Sequence, residues 1–539
     1  MRRRRSRADW LALTTIAVVG MASVWLAPVA HARADAAQLQ ATTNAAIEAQ
    51  GIVQAVAQGL DYVPGEVIFK FKKNTPTVLQ ARALTAIRSR PQLSQVRWSH
   101  DIGTLRDMTQ PDARVLAQQL AEQSDVEFAQ PNYLRHEQVV RRRVGGPVGE
   151  APTLSAIAAA RAAAASLAPA ATTFTPNDPG YSILQWNLPL IGMPGAWALN
   201  AGGSSSLIVA VFDTGVTSVN ETLTTPLWTG SSFTTTQIPF AKSPDLSGAR
   251  IVHPLDLVFS TNNNVLDMDG HSTHVASTIA EDTNNAFALA GIAFNVQIMP
   301  VKVCLGYWES MIVRGQQGIT GFSPVTDASC SDSAIVQGIH AAADAGAKVI
   351  NISLGGDEPS PADQDAINYA VSKGAFVAIA MGNDFANGNP TSYPAFYAAS
   401  TNGAMAVAAV TSSQAHAPYS NTGSYCEISA PGGDGQSDAT QALVWQVGLD
   451  FDQFDLNTVR QPRFDLFALI GMAGTSMATP HVSGVAALVY SQYPNITPAA
   501  VEALIKSTAK DLGSTGRDDT FGAGLIQARA ALFGKGIAK

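Results

Sequence analysis

Three residues of this chain have the types and local settings for nucleophilic catalysis: Asp213, His271 and Ser476. Ser476 lies in Gly474-Thr475-Ser476-Met477-Ala478-Thr479-Pro480-His481, which reads as a turn that sets a serine in the first turn of an apolar helix. Small neighbours leave its hydroxyl open, and a helix N-terminus directs unpaired N–H groups and partial positive charge toward it, an environment for an oxyanion. His271 follows a glycine turn and opens an Ala/Val-rich helix in Gly270-His271-Ser272-Thr273-His274-Val275-Ala276. Asp213 follows Leu207-Ile208-Val209-Ala210-Val211-Phe212, an apolar, β-branched run typical of a buried parallel strand. A serine hydroxyl is a poor nucleophile until a base takes its proton. Imidazole can do so near neutral pH, and a carboxylate behind it fixes the tautomer and stabilises the cation. Alone, Ser476 would read as an N-cap.

These groups must be held by a scaffold, and apolar strands alternate with Ala-rich helices around them. Helices are predicted over Ser333 to Ala345 and Pro361 to Lys373, strands over Lys348 to Ser353, Ala375 to Ala380 and Ala404 to Val410. The helix from Ser476 is expected to be central and buried, with Pro498 to Ala509 and Ile526 to Leu532 closing the fold and no domain appended after it. The pattern predicts an α/β domain, a doubly wound and mostly parallel sheet with helices on both faces, whose sites form at the carboxyl edge.

In the order Asp, His, Ser, with Asp213-Thr214-Gly215, Gly270 to Ala276 and Gly474 to Ala478 as motifs, the chain from about Asn177 to Ala531 resembles the subtilisin-like serine peptidases. The resemblance implies a triad of Asp213, His271 and Ser476 that cleaves peptide bonds through an acyl-enzyme. It implies that Asn383, in Ala378-Ile379-Ala380-Met381-Gly382-Asn383, is the oxyanion donor beside the N–H of Ser476. Ser353, Leu354, Gly355, Ala380, Met381 and Gly382 would line the peptide groove. Two positions depart from the family pattern: Ser272 stands for a glycine, crowding the helix start, and Met381 for an alanine, altering a wall of the pocket before the scissile bond. No cofactor is implied for the chemistry. The family's calcium loop resembles Thr283 to Leu289 with Asn285 as a ligand, yet Val219 to Leu223 lack the usual aspartate. Structural calcium is left open, with no firm metal site.

Other readings were weighed at these motifs. His271 and His274 stand three apart with no glutamate between them, whereas zincin ligands stand four apart, so zinc is not expected. His481 is read as a packed histidine and Asn351 as a structural cap. A sedolisin-like carboxyl peptidase is disfavoured because His271 stands in its full motif, and a silent binding protein because no triad residue is lost.

The 539 residues carry a formal charge of −8 and only 14% charged residues, which argues against nucleic acid as a partner and leaves room for more than one domain. Basic residues gather instead at Arg2 to Arg5 and Arg7, ahead of an apolar stretch from Trp10 to Ala30 and Ala32-Arg33-Ala34. Residues 1–34 therefore read as a signal peptide, implying a secreted protein with no membrane attachment after cleavage. An uncleaved anchor is the alternative, since the stretch is as long as a span needs. Residues 35–62 read as a spacer. In 63–138, Val63 to Lys72 and Val126 to Tyr133 read as strands and Arg114 to Gln123 as a helix. That segment resembles the subtilisin propeptide, implying an intramolecular inhibitor. Residues 139–175 read as an Ala/Arg-rich linker removed on maturation, by a cut between about Arg141 and Asp178, with Arg141 to Arg143 as solvated charge or, alternatively, a processing site. Residues 176–539 form the catalytic domain.

Cys304 and Cys330 flank a loop, Leu305 to Ser329, that they could close by a disulfide, one of three pairings open to the cysteines. Cys426 then reads as a buried thiol. Asp434 to Leu469 reads as a solvated insertion, with Asp450, Asp452 and Asp455 offering a calcium loop or a substrate rim as the sharper alternative. Taken together, the sequence predicts a monomeric, broadly specific secreted endopeptidase acting on proteins or peptides. Its alternatives are a processing protease with one partner substrate and a silent binding protein.

Overall fold

The apolar run before Asp213 forms the strand Ile208–Asp213 in a seven-stranded sheet. The computed structural model describes residues 40, 42–87, 94–147, 173–228, 232–259, 264–318, 327–450 and 462–533. Across the sheet the strands run Ile428–Pro431, Ala404–Val410, Phe376–Ala380, Val349–Ile352, Ile208–Asp213, Gln297–Lys302 and Leu255–Asp256, every pair parallel. Side chains alternate between two cores. Val209 and Val211 pack with Val275, Ile279 and Val482 on one face, whereas Ala210 and Phe212 pack with Ile335, Ile339 and Ile367 on the other. This is the doubly wound sheet expected. Its strand order reverses beside Ile208–Asp213, so the crevice opens beyond the carboxyl ends of that strand and Val349–Ile352. The helices lie where expected, at Asp332–Asp344, Pro361–Ser372, Pro498–Thr508 and Ala528–Phe533. Thr475–Gln492 is buried from Thr475 to Tyr490.

Ahead of it, β1 (Tyr62–Phe71), β2 (Ser94–Ser99), β3 (Ile102–Asp107) and β4 (Val126–Glu137) form an antiparallel sheet in the order β4-β1-β3-β2. Leu116 and Leu120 of the helix Ala113–Ala121 pack on Val67, Phe69 and Leu105 of one face. The stretch expected as a spacer instead holds a helix over residues 42–58, and its Ala49, Ile52 and Val53 join Ile68 and Ile102 on the other face. Apolar residues at 45, 49, 52 and 53 carry that helical period, a signal diluted by small alanines.

This sheet docks on the ends of two catalytic-domain helices. Asn132 Oδ1 accepts the Ser333 N–H at 2.9 Å and Gln130 Oε1 the Ala362 N–H at 3.0 Å, filling donors that a helix start leaves open. Arg135, fully buried, donates to both carboxylate oxygens of Asp332 at 2.6 and 2.8 Å and to Glu358 O at 2.6 Å.

Several expectations are corrected here. Within the stretch expected as a linker, Arg141–Pro147 forms a strand, β5, paired antiparallel with Phe467–Ala473, and Arg142 is half-buried in ion pairs. Phe467–Ala473 in turn pairs with Val444–Leu449, whose residues are all buried, so that part of the Asp434 to Leu469 insertion belongs to the core. The Cys304–Cys330 disulfide is present, S–S 2.06 Å, but the segment it closes holds a helix, Tyr307–Gln317. Cys426 is buried and free, and burial pushes its thiol up. The signal segment 1–34, residues 148–172 and Asp452 and Asp455 lie outside the described residues. Among the described residues no helix is long and apolar enough to cross a membrane.

Candidate active site

Gly270, at φ 92°, takes a turn that glycine adopts freely and delivers His271 as the first residue of the helix His271–Ala280. Asp267 Oδ1 accepts the N–H groups of Asp269 and Gly270 at 3.0 and 2.8 Å, and its Oδ2 that of Thr273 at 3.1 Å, pinning the helix start. His271 Nδ1 then lies 2.8 Å from both carboxylate oxygens of Asp213. The third expected partner is turned aside, because Ser476 Oγ donates to Ser353 O at 2.8 Å. His271 Nε2 has no hydrogen-bond partner among the described residues. The acid–imidazole pair is thus formed, and the serine–imidazole bond is not.

Asn383 is held by its oxygen. Oδ1 accepts both the N–H and the hydroxyl of Thr475 at 3.0 Å, which leaves the buried Nδ2 as an unused donor. The Ser476 N–H is in use, donating at 3.0 Å to the carbonyl oxygen of Gln138, just past β4.

β4 itself lies along the groove. Glu137 and His136 pair with Leu354 and Gly355, Leu134 to His136 pair on the other side with Ser329–Ser331, and the Gln138 N–H donates to Ser353 O at 3.3 Å. Ser353, Leu354 and Gly355 therefore contact an extended chain as expected. Ala380 and Met381 are fully buried with β4 in place, and Met381 packs in the same sheet core as Leu354. Gly382 O accepts the Asn421 N–H at 3.0 Å behind Asn383. Ser272 donates its N–H to Thr214 Oγ1 at 3.1 Å, and its own Oγ is buried without a partner.

Residues 204–524 match the family model described as "Subtilase family". The chain belongs to that family. It is by family a serine endopeptidase, and residues 48–132 match a second model, "Fervidolysin N-terminal prodomain". It is 31% identical over 347 residues to thermitase of Thermoactinomyces vulgaris, covering 64% of this chain and 94% of the relative. It is 36% identical over 375 residues to an extracellular protease of Xanthomonas campestris, covering 67% of this chain but only 57% of that relative. The crystal structure of fervidolysin from Fervidobacterium pennivorans, described as a keratinolytic enzyme related to subtilisin, superposes with a TM-score of 0.60 at 22% identity. That superposition covers 88% of this chain and 61% of that one, a likeness of fold.

The subtilase cleft also holds charges that sequence reasoning missed. Arg142 bonds to Asp269 Oδ1 at 2.6 Å and to Glu137, and Glu137 Oε2 lies 3.6 Å from His271 Nδ1. Burial alone would lower the His271 pKa, but Asp213 first and Glu137 next outweigh it, raising His271 to about 9. A base must be neutral to accept a proton, so turnover with β4 in place is expected to rise with pH up to about 9. Glu137→Gln removes one of the two carboxylates and should move the midpoint of a self-cleavage pH profile downward; an unmoved midpoint would contradict this electrostatic account. Lys302 was missed as well. Fully buried, it donates to Leu266 O at 2.9 Å and to Glu309 at 2.7 Å, bracing the Asp213 strand end, and only an isolated lysine marks it in sequence.

At the loop read as a calcium site, Asn285 Nδ2 donates to Asp245 Oδ1 at 2.7 Å and its Oδ1 accepts the Phe287 N–H at 2.9 Å. Asp245, the carboxylate beside Asn285, follows the hairpin Glu221–Trp228/Phe233–Phe240 in the chain. Asp178 joins them, accepting the N–H groups of Asn284 and Asn285. Burial pushes Asp245 up to about 7.

Proposed function

We propose that the protein is a secreted endopeptidase that hydrolyses proteins through an acyl-enzyme on Ser476. The observation that carries this reading is the seating of a peptide carbonyl, that of Gln138, on the Ser476 N–H beside the unused Asn383 Nδ2. His271 takes the proton of Ser476 and later gives it to the leaving amine, and Asp213 holds the imidazole tautomer and stabilises its cation. Ser476 must first swing from Ser353 O to His271 Nε2, a rotation about one side-chain bond. The Ser476 N–H and Asn383 Nδ2 stabilise the oxyanion. The groove binds by main-chain pairing with Leu354–Gly355 and Ser329–Ser331, which favours broad specificity, since backbone hydrogen bonds do not distinguish side chains. The prodomain, whose β4 fills that groove, acts as an intramolecular inhibitor. Asn383→Ala is expected to lower kcat on casein by about a hundredfold or more, with KM little changed; retention of full kcat would remove Asn383 from the mechanism. Peptide-library profiling separates a broad enzyme from a processing protease with one partner.

A structural calcium fits the loop cluster, where Asp178 and Asp245 carry carboxylates that burial forces upward and that a cation would relieve. Asp178, Asp245 and Asn285 would hold it, the Asn285 carbonyl oxygen turning inward. Chelation is then expected to lower the Tm by about 5 °C, restored by calcium, and an unaltered melting curve would argue against the ion.

A further inference from the structure

The chain lies over its own nucleophile at one bond. Gln138 offers its carbonyl oxygen to the Ser476 N–H at 3.0 Å, and Val140 donates its N–H to Ala473 O at 2.8 Å, so the backbone is held on both sides of the Gln138–Val139 peptide. The approach is close. A Cβ added to Gly474 would stand 2.2 Å from Gln138 O and 2.9 Å from Val139 Cα, placing that peptide directly above the turn that presents Ser476. Gln138, Val139 and Asn383 line one cleft.

Past this bond the chain stays bound. β5 continues as a strand on Phe467–Ala473, and Arg142 reaches back to the site, where its guanidinium bonds to Asp269 at 2.6 Å. Asp269 also accepts the His271 N–H at 3.1 Å, so the cation is read one residue from the base. Arg142 bonds to Glu137 as well, spanning the peptide between them. Without Arg142, Glu137, Asp269 and Asp213 would crowd His271 as three carboxylates in a water-poor cleft, which a buried site tolerates only with a paired cation.

We propose that the first bond this enzyme cuts is its own Gln138–Val139 bond, and that Asp269 is a specificity-determining residue that reads a cationic side chain four residues beyond the cut, Arg142 in self-cleavage. The inference rests on the proteolytic reading above. Ser476 Oγ adds to the carbonyl carbon of Gln138 while its proton passes to His271 Nε2. The C–N bond to Val139 then breaks, and the same proton moves to the departing nitrogen, which becomes the new N-terminal amine. Water hydrolyses the Gln138 ester, leaving a carboxylate on Gln138 and restoring the Ser476 hydroxyl. Any trimming of residues 139–175 follows this cut, so the first product starts two residues before the Arg141 to Asp178 range expected from sequence.

The test follows the full chain made by cell-free synthesis in oxidising buffer, by intact mass and N-terminal sequencing, beside Ser476→Ala. The expected first new N-terminus is Val139, absent from the mutant. A first cut elsewhere, or no self-cleavage, overturns the bond assignment, and casein hydrolysis by the same sample tells whether the proteolytic reading falls with it. For Asp269, two quenched peptides carrying Gln138–Val139 and either arginine or glutamine at the fourth position after the cut are compared on the processed enzyme. The arginine peptide is expected to have about tenfold higher kcat/KM, the size of one charge-assisted bond, and the ratio should fall toward one in Asp269→Asn. Equal kcat/KM for the two peptides on the wild-type enzyme overturns the role of Asp269.

Discussion

Ser476→Ala is expected to abolish casein hydrolysis, by roughly 10⁴-fold or more, because positioning and oxyanion binding alone cannot replace a covalent nucleophile. Stability should barely change. The hydroxyl makes one hydrogen bond, to Ser353 O at 2.8 Å, and its loss costs about 1 kcal/mol in a domain whose helix Thr475–Gln492 is otherwise untouched. Thermal melting and casein hydrolysis on the same preparation check both halves. Undiminished cleavage by the alanine variant would sink the acyl-enzyme mechanism; loss of activity together with loss of the folded state would show only that Ser476 is structural.

The second large effect belongs to Arg135. Its side chain is wholly buried against Asp332 and Asp363, and it joins β4 to the helix starts that carry those carboxylates. Burial alone pushes the Asp363 carboxyl far upward, with Asp332 adding to the rise, so the guanidinium is what makes the cluster tolerable. Arg135→Ala leaves these groups buried without their cation, a loss of about 3–5 kcal/mol. Prodomain affinity should fall roughly 150- to 4,000-fold. Freshly self-cleaved wild type is then expected to stay latent toward casein while the variant is active at once; an equal lag in both would mean that Arg135 does not hold the inhibitor in place.

Much of this was legible in sequence because it rests on local signals. The run Leu207 to Phe212 is apolar and β-branched throughout, and only a strand covered on both faces uses such a run, so Ile208–Asp213 and the placement of Asp213 at its end followed directly. Gly270 and Gly474 punctuate two helix starts, and the structure places His271 and Thr475-Ser476 there. Asn383 was found by resemblance, whereas what makes it a donor, Thr475 holding its oxygen, needed coordinates.

The misses share one cause. Arg142 reads as solvated charge because an arginine's hydration is the default until partners are known; Glu137, five residues before it, and Asp269, far along the chain, are what pair with it. Asp245 was overlooked because the hairpin Glu221–Trp228/Phe233–Phe240 separates it from the strand end at Asp213.

By itself, then, the sequence determined the residue types proposed for catalysis, their order and the sheet that carries them, since strand period, turn glycines and helix starts are written in neighbouring residues. Only the tertiary structure decided that Ser476 is turned to Ser353, that β4 fills the groove, and that Gln138–Val139 lies over the nucleophile. These depend on pairings between residues more than a hundred positions apart, such as Ser476 with Ser353 and Glu137 with Leu354, and no local pattern encodes such a register.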